Sequence, residues 1–196
     1  MPPPTPSPLK LSAVLAALAV SASGPGCASS DPGVNALATA KAAIGTLKLQ
    51  LRQRLQLAMA DRGPAHALDV CAGEAQAIRA KIAHESQTNL GRSSLRLRTP
   101  ADRAPDWVQA WLDEQGEKKA AGVQGFSRID ETPSGRFARV LEPIAIEKGC
   151  IPCHGAAETL GPGVKDALSA RYPGDSAIGY AEGDLRGAIW AEKALP

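Results

Sequence analysis

The sequence predicts a mixed α and β domain in which helices come first and antiparallel strands follow. In the first part, apolar residues recur at steps of three or four, which is the pattern of amphipathic helices. In the later part, short runs of strand-forming residues are separated by Gly- and Pro-rich turns. The chain has 196 residues, and the roughly 170 that remain after a leader are expected to form one domain.

The leader is predicted from the first thirty residues. Lys10 is the only charged side chain before Asp31, and an apolar run, residues 11–20, follows it. This run is shorter than the ~20 residues that a membrane-spanning helix needs, so we expect a removable secretory signal. Cys27 predicts a bacterial lipoprotein signal, in which it becomes the lipidated first residue of the mature chain. An ordinary signal-peptidase cut after Ala22 is the alternative.

The resulting organisation is a signal peptide at 1–26, a linker at 27–33 and one folded domain at 34–196. We expect a periplasmic protein, either free or tethered by its lipid and facing the periplasm. Without Lys10 the chain has 21 basic and 20 acidic side chains. Such a balance predicts no nucleic-acid binding, and membrane contact only through the lipid anchor.

Two helices are expected before the first strand. The first begins near Asp31 and ends at Gly63-Pro64, because Gly and Pro interrupt helices. Its apolar stripe is expected to pack on its own domain and is long enough to serve a homodimer as well. The stripe consists of Leu37, Ala40, Ile44, Leu47, Leu51, Leu55 and Ala58.

The second helix, from about Ala65 to Ser86, carries Cys71 on its apolar face. The other members of this face are Leu68, Ala75, Ile78 and Ile82. At about 100° per residue, His66 and His84 each lie roughly 140° from Cys71 around the helix. We therefore expect Cys71 to point inward and both histidines to point elsewhere.

The remaining elements follow from alternation and from turn residues. The alternating Leu and Arg of residues 94–98 predict a half-buried strand, and Asp106 predicts the start of a helix anchored by two tryptophans. A hairpin is expected around the turn at residues 132–135, with Pro143 ending its second strand. The predicted strands of the hairpin are 125–130 and 136–141, a helix is expected around 164–172, and the last strand covers 185–192.

The motif Cys150-Ile151-Pro152-Cys153-His154 is the signature of covalent c-type haem attachment. Two thiols three positions apart can add to the two vinyl groups of one porphyrin, and the following histidine becomes an axial ligand of the iron. The sequence therefore predicts one covalently bound haem c, with His154 as a ligand.

Three other interpretations of the motif are weaker. A thioredoxin-like redox pair needs a neighbouring βαβ pattern, which is missing from the sequence. A zinc site could use Cys71 with Cys150, Cys153 and a histidine, but a second closely spaced pair of ligands is lacking. A structural disulfide in an exported protein would leave His154 without a role.

Several segments together resemble a known family, the single-haem c-type proteins with a PAS-like fold. This family was long known only as a domain of unknown function, and it also occurs as a periplasmic sensor region of bacterial signalling proteins. The resemblance covers about Leu37 to Leu195. It rests on an inward-facing Cys on a helix and on residues 91–98, 105–107, 150–155, 172–180 and 183–188.

The resemblance implies an α+β fold, with a long N-terminal helix and an antiparallel sheet flanked by helices. It also implies an unusual His/Cys pair of axial ligands, with His154 as the proximal ligand and Cys71 as the distal one. The inward position expected for Cys71 agrees with this role. A buried, inert Cys71 is the alternative, in which case Met59 or His66 would be the distal ligand.

We consider three functions. A thiolate ligand stabilises ferric iron, and its loss on reduction would free a coordination site on the iron. The first hypothesis is therefore a sensor of redox state or of a diatomic gas, in which ligand exchange at Cys71 is the switch. The second is a monohaem electron-transfer protein with a redox partner. The third, a peroxidase-type enzyme, lacks a distal acid or base, so we predict no enzymatic activity. A sensor role would require a separate partner protein.

Four arginines are candidates to pair with the haem propionates, because guanidinium groups match carboxylates in geometry and charge. The alternative is that they line a solvated strand face. These residues are Arg92, Arg96, Arg98 and Arg186.

Overall fold

The computed structural model describes Met1 and residues 31–196. The predicted signal peptide and Cys27 lie outside these residues, so both remain predictions. In the described part of the chain, no helix is long and apolar enough to cross a membrane.

Residues 31–196 form four α-helices and four β-strands, and helix α1 precedes every strand. The helices are α1 (Pro32–Ser86), α2 (Asp106–Gln115), α3 (Ile151–His154) and α4 (Val164–Arg171). The strands are β1 (Asn89–Ser93), β2 (Phe126–Thr132), β3 (Gly135–Ala145) and β4 (Leu185–Ala194). The class is α+β, as the sequence predicted.

Helix α1 consists of two helical halves joined at a kink. Arg62 and Gly63 leave helical geometry, and Gly63 has φ 77°, a value that glycine adopts without steric cost. Pro64 then starts the second half, since its missing N–H is not needed in a first helical turn. Asp31 caps the start of α1 by accepting a hydrogen bond from the Gly33 amide at 2.7 Å. The predicted two helices are confirmed.

The sheet is antiparallel throughout, in the order β1-β4-β3-β2. Strands β2 and β3 form the predicted hairpin, in which Thr132 pairs with Gly135 at the turn. The final strand β4 lies between β1 and β3 and therefore joins the two halves of the sequence. The segment that leads into the haem motif thus leaves the sheet beside β4.

Two predictions about strands were wrong. Strand β3 does not end at Pro143, which pairs with Ala188 of β4. The proline is tolerated because β2 begins at Phe126, opposite Leu141, so at Pro143 one side of β3 has no neighbouring strand. Residues 94–98 are a loop, since the strand lies earlier, at Asn89–Ser93. Their arginines turn instead toward backbone carbonyl groups near the haem motif.

Two apolar layers enclose the sheet. The α1 side is a buried cluster built from both halves of α1 and from β1, β3 and β4. The opposite side holds helix α2, whose Trp107 meets Trp190 edge-on at 5.8 Å. Members of the first layer include Ala40, Ile44, Leu47, Ile82, Leu90, Val140 and Ile189. The prediction that the α1 stripe packs on its own domain is confirmed for these α1 residues, whereas Leu55 is 36% exposed.

Candidate functional site

The haem motif lies on a short helical segment that follows β3. Cys150 ends a 3-10 turn, and Cys153 and His154 belong to α3. Just before the motif, the Ile146 amide donates to the Asp184 carbonyl at 2.8 Å, and Gly183 donates back to the Ile146 carbonyl at 2.8 Å. The motif is therefore held against the start of β4, with both its cysteines as free thiols.

The imidazole of His154 is fixed by a backbone carbonyl. Its Nδ1 atom lies 2.7 Å from the oxygen of Ala177, so Nδ1 carries the proton and donates, because a carbonyl can only accept. Burial, reinforced by the charges of Arg98 and Arg186, lowers the pKa of His154 to about 3. The ring is therefore neutral, and the lone pair of Nε2 is available to a metal.

Arg98 ties the segment around Ala177 to the haem motif. Its Nη2 donates to the carbonyl of Cys153 at 2.6 Å and to that of Ala177 at 3.3 Å. Nη2 also lies 3.3 Å from Nδ1 of His154, but both atoms are donors there, so we count this as a contact and not a hydrogen bond. One side chain thus links the backbone on both sides of the imidazole.

Asp175 completes this arrangement. Its Oδ1 pairs with Nε of Arg98 at 3.3 Å and accepts the Ala177 amide at 2.8 Å. The pair is buried, with side-chain exposures of 11% for Arg98 and 6% for Asp175. The other carboxylate oxygen, Oδ2, is buried and has no hydrogen-bond partner among the described residues. The carboxylate therefore depends on Arg98 for compensation of its charge.

Backbone and aromatic contacts hold the other side of the motif. The Tyr180 amide donates to the carbonyl of His154 at 2.9 Å, and Gly179 donates to Gly155 at 2.8 Å. The Tyr180 ring meets the His154 ring edge-on at 6.3 Å, and the guanidinium of Arg96 lies 3.8 Å from the centre of the Tyr180 ring. The proximal segment is therefore constrained through residues 175–180.

Cys71 lies on the second half of α1, one turn beyond Leu68. Leu68 forms a buried cluster with Val164 and Leu168 of α4, and Cys153 packs against this cluster. Cys71 is half-buried, and burial raises the pKa of its thiol. The pKa of Cys153 is also raised, first by burial and further by Cys71. The fold thus brings Cys71 and the haem motif into the same neighbourhood.

The two alternative distal residues have other surroundings. His66 lies at the kink of α1, where its Nε2 is 3.1 Å from Arg62 and 3.4 Å from Asp61. Met59 is half-buried on the first half of α1, before the kink. His84 is exposed near the end of α1. Among residues 31–196, no three His, Cys, Asp or Glu side chains are grouped to hold a metal ion directly.

The four arginines singled out in the sequence have different partners. Arg98 pairs with Asp175. Arg96 lies 3.1 Å from Glu117, and Arg186 donates to Ser94 Oγ and to the Arg96 carbonyl. For the side chain of Arg92, the described residues provide neither a hydrogen bond nor an ion pair. Burial lowers the pKa of Arg186, which agrees with its lack of a carboxylate partner.

Asp175 and Ala177 were not among the site residues predicted from the sequence. Ala177 contributes a backbone carbonyl, and a backbone contact cannot be predicted from the residue type. Asp175 lies in residues 172–180, one of the segments that support the family resemblance. That resemblance was the one signal in the sequence that could have pointed to Asp175.

Comparison with known families shows to which family the chain belongs. The profile of the Tll0287-like family matches residues 31–192. The chain belongs to the Tll0287-like family. Comparison with curated proteins finds no match.

A solved structure has the same fold as this Tll0287-like chain. It is the crystal structure of the cyanobacterial haem-protein Tll0287, with a TM-score of 0.55 and 23% identity. The match covers 78% of this chain and 92% of the other. The PAS-like α+β fold that the sequence resemblance implied is therefore confirmed.

The donor set in this member of the Tll0287-like family suits a c-type haem. Cys150 and Cys153 are unpaired thiols, and Nε2 of His154 has no hydrogen-bond partner among the described residues. Cys71 supplies a third free thiol from a separate helix. These residues could hold a porphyrin by two thioether bonds and its iron by one or two axial ligands.

Proposed function

We propose that this chain is an exported protein that binds one haem c and senses redox state or a diatomic gas. Cys150 and Cys153 would each add across one vinyl group, with sulfur bonding one carbon and the thiol hydrogen passing to the other. His154 and Cys71 would be the axial ligands. The observation that carries the proposal is the 2.7 Å contact between His154 Nδ1 and the Ala177 carbonyl, which leaves Nε2 available.

The two proposed ligands differ in how firmly they are held. His154 is restrained by Ala177, by Tyr180 and by the attachment of the neighbouring Cys153. The Cys71 thiol has no hydrogen-bond partner among the described residues, and its helix carries a kink at Gly63. When bound, the haem supplies a redox-active iron whose ferric state a thiolate ligand stabilises. We therefore propose His154 as the constant ligand and Cys71 as the exchangeable one.

A sensor of this kind must transmit its state to another molecule. Cys71 lies on the longest element of the fold, which packs against β1, β3, β4 and α4. A change of ligation at Cys71 would act directly on this helix, and through it on a partner protein. The proposal includes export to the periplasm and lipidation at Cys27, with no membrane contact other than the lipid.

The experiment uses protein matured with the c-type haem machinery. Haem stain on a denaturing gel tests covalent attachment, and binding of carbon monoxide to the reduced protein tests exchange at the iron. We expect a positive stain, and carbon monoxide binding accompanied by loss of the thiolate signature. The Met59→Leu variant is the control, because it removes an alternative sulfur ligand and should bind carbon monoxide as the wild type does.

Two results would count against the proposal. Protein without stainable haem would contradict haem c binding altogether. Stainable haem whose reduced iron binds no carbon monoxide would exclude ligand exchange and favour the alternative, a monohaem electron-transfer protein.

A further inference from the structure

A cavity of about 330 Å³ lies at the β1 edge of the sheet. It is bounded by α1, β1, the 3-10 turn at Pro100–Asp102 and the residues that follow this turn. Three of its lining side chains are arginines, Arg79, Arg92 and Arg103. Trp190 contributes an apolar wall.

The protein neutralises the positive charge of the cavity only in part. None of the three arginines forms an ion pair among the described residues. Arg79 donates only to the Gln76 side chain and to the Leu90 carbonyl. Asp102 is the single acidic residue of the lining, and its Oδ1 accepts a hydrogen bond from Gln76 at 3.2 Å. Three guanidinium groups against a single carboxylate favour an anionic ligand.

The cavity adjoins the candidate haem site. On one side, Gln76 donates to Asp102 of the lining at 3.2 Å, and Gln76 lies on the same half of α1 as Cys71. On the other side, the turn at Pro100–Asp102 directly follows the segment of Arg98, whose Nη2 donates to the carbonyl of Cys153 at 2.6 Å. The cavity that Arg92 lines is therefore bounded by the same two stretches of chain that adjoin Cys71 and the haem motif.

We propose that this cavity receives the propionate carboxylates of the haem, with Arg92 as their principal partner and Arg79 and Arg103 as supporting cations. The inference rests on the proposed function, since it assigns a part of the same cofactor. It also gives Arg92 and Arg98 different roles. Arg98 is committed to Asp175 and to the backbone around His154, whereas Arg92 is free to bind a ligand.

A small free anion would satisfy the same guanidinium chemistry. Both sources supply carboxylate- or phosphate-like oxygens, so the experiment must distinguish them. A propionate is delivered with the attached porphyrin and cannot be washed out, whereas a free anion binds saturably from solution.

The test compares the Arg92→Gln and Arg79→Gln holoproteins with an Arg136→Gln control. Arg136 is an exposed arginine that pairs with Glu131 on the β2–β3 hairpin. The first readout is the carboxylate bands of propionate-labelled haem in redox difference infrared spectra. The second is the midpoint reduction potential, which nearby charge controls. We expect shifted carboxylate bands and a lower potential in Arg92→Gln, a smaller effect in Arg79→Gln, and no effect in the control.

Three outcomes overturn the inference. The first is an Arg92→Gln protein whose carboxylate bands and midpoint potential equal those of wild type, while its haem content and its Cys71-dependent spectrum are intact. In that case the proposed function would stand and only this inference would fail. The second is saturable binding of inorganic phosphate or acetate to wild-type holoprotein, lost in Arg92→Gln, which would assign the cavity to a free anion. The third is wild-type protein without covalent haem, which would remove the proposed function and this inference together.

Discussion

The Nδ1 atom of His154 lies 2.7 Å from the carbonyl oxygen of Ala177, and this contact sets the tautomer of the imidazole. The carbonyl is held in place by its neighbours. Asp175 accepts the Ala177 amide, and Arg98 donates both to the Ala177 carbonyl and to that of Cys153. The orientation of the proposed proximal ligand thus depends on an ion pair that does not touch Nε2.

The buried pair of Arg98 and Asp175 should matter for stability. Replacing Arg98 with Ala leaves the Asp175 carboxylate buried without a counter-ion, which we expect to cost about 3–5 kcal/mol of unfolding free energy. Urea unfolding of the purified protein measures this. The control is Arg171→Ala, since Arg171 and Asp69 form an exposed pair expected to contribute about 0–1 kcal/mol. Equal losses in the two variants would contradict the role given to Arg98.

Gly91 should tolerate no side chain. A Cβ at this position would lie 2.5 Å from Cζ2 of Trp190, and that ring is fixed by a 3.0 Å hydrogen bond from its Nε1 to Ser93. We expect Gly91→Ala to destabilise the protein by about 1–3 kcal/mol through overpacking. Gly45→Ala on the exposed face of α1 is the control. It meets nothing within 4 Å and should stabilise by up to about 1 kcal/mol. A neutral Gly91→Ala would show that Trp190 can move.

The α1 layer of the core offers a matched pair of leucines. Leu47 is completely buried, whereas Leu49 is 57% exposed on the same helix. Leu47→Ala should therefore cost about 2–5 kcal/mol because it leaves a cavity, and Leu49→Ala should stay within about 0.5 kcal/mol of wild type. Denaturant unfolding curves of the two variants provide the comparison. A large loss for Leu49→Ala would mean that this face of α1 is covered in solution.

The two cysteines of the motif should each contribute one thioether bond. In Cys150→Ala or Cys153→Ala, one vinyl group stays conjugated with the porphyrin, so the pyridine haemochrome band should move to longer wavelength. The double variant should show no haem stain on a denaturing gel. Retention of stainable haem in the double variant would show that attachment occurs elsewhere.

Local signals explain the parts of this molecule that could be predicted from the sequence. The kink of α1 was predicted because Gly63-Pro64 interrupts a helix whatever surrounds it. Strand β3 was predicted too short because the effect of Pro143 depends on whether a neighbouring strand is present, and β2 begins opposite Leu141, so it does not extend to Pro143. The loop at residues 94–98 has the alternating pattern of a strand, but its arginines donate hydrogen bonds to carbonyl groups distant in sequence.

The candidate site divides in the same way. Cys150, Cys153 and His154 were evident in the sequence because they form a motif with fixed spacing. The partners that orient them were not, because Asp175 and Ala177 act through a fold in which residues 77 to 79 positions apart meet.

The most direct test of the account is the electron paramagnetic resonance spectrum of the ferric holoprotein, recorded for wild type and for Cys71→Ser. His66→Gln is the control, because that histidine is bonded to Asp61 and Arg62 at the kink. We predict a low-spin signal of thiolate ligation in wild type and in His66→Gln, and its loss in Cys71→Ser. An identical ferric spectrum in wild type and Cys71→Ser would contradict ligation by Cys71.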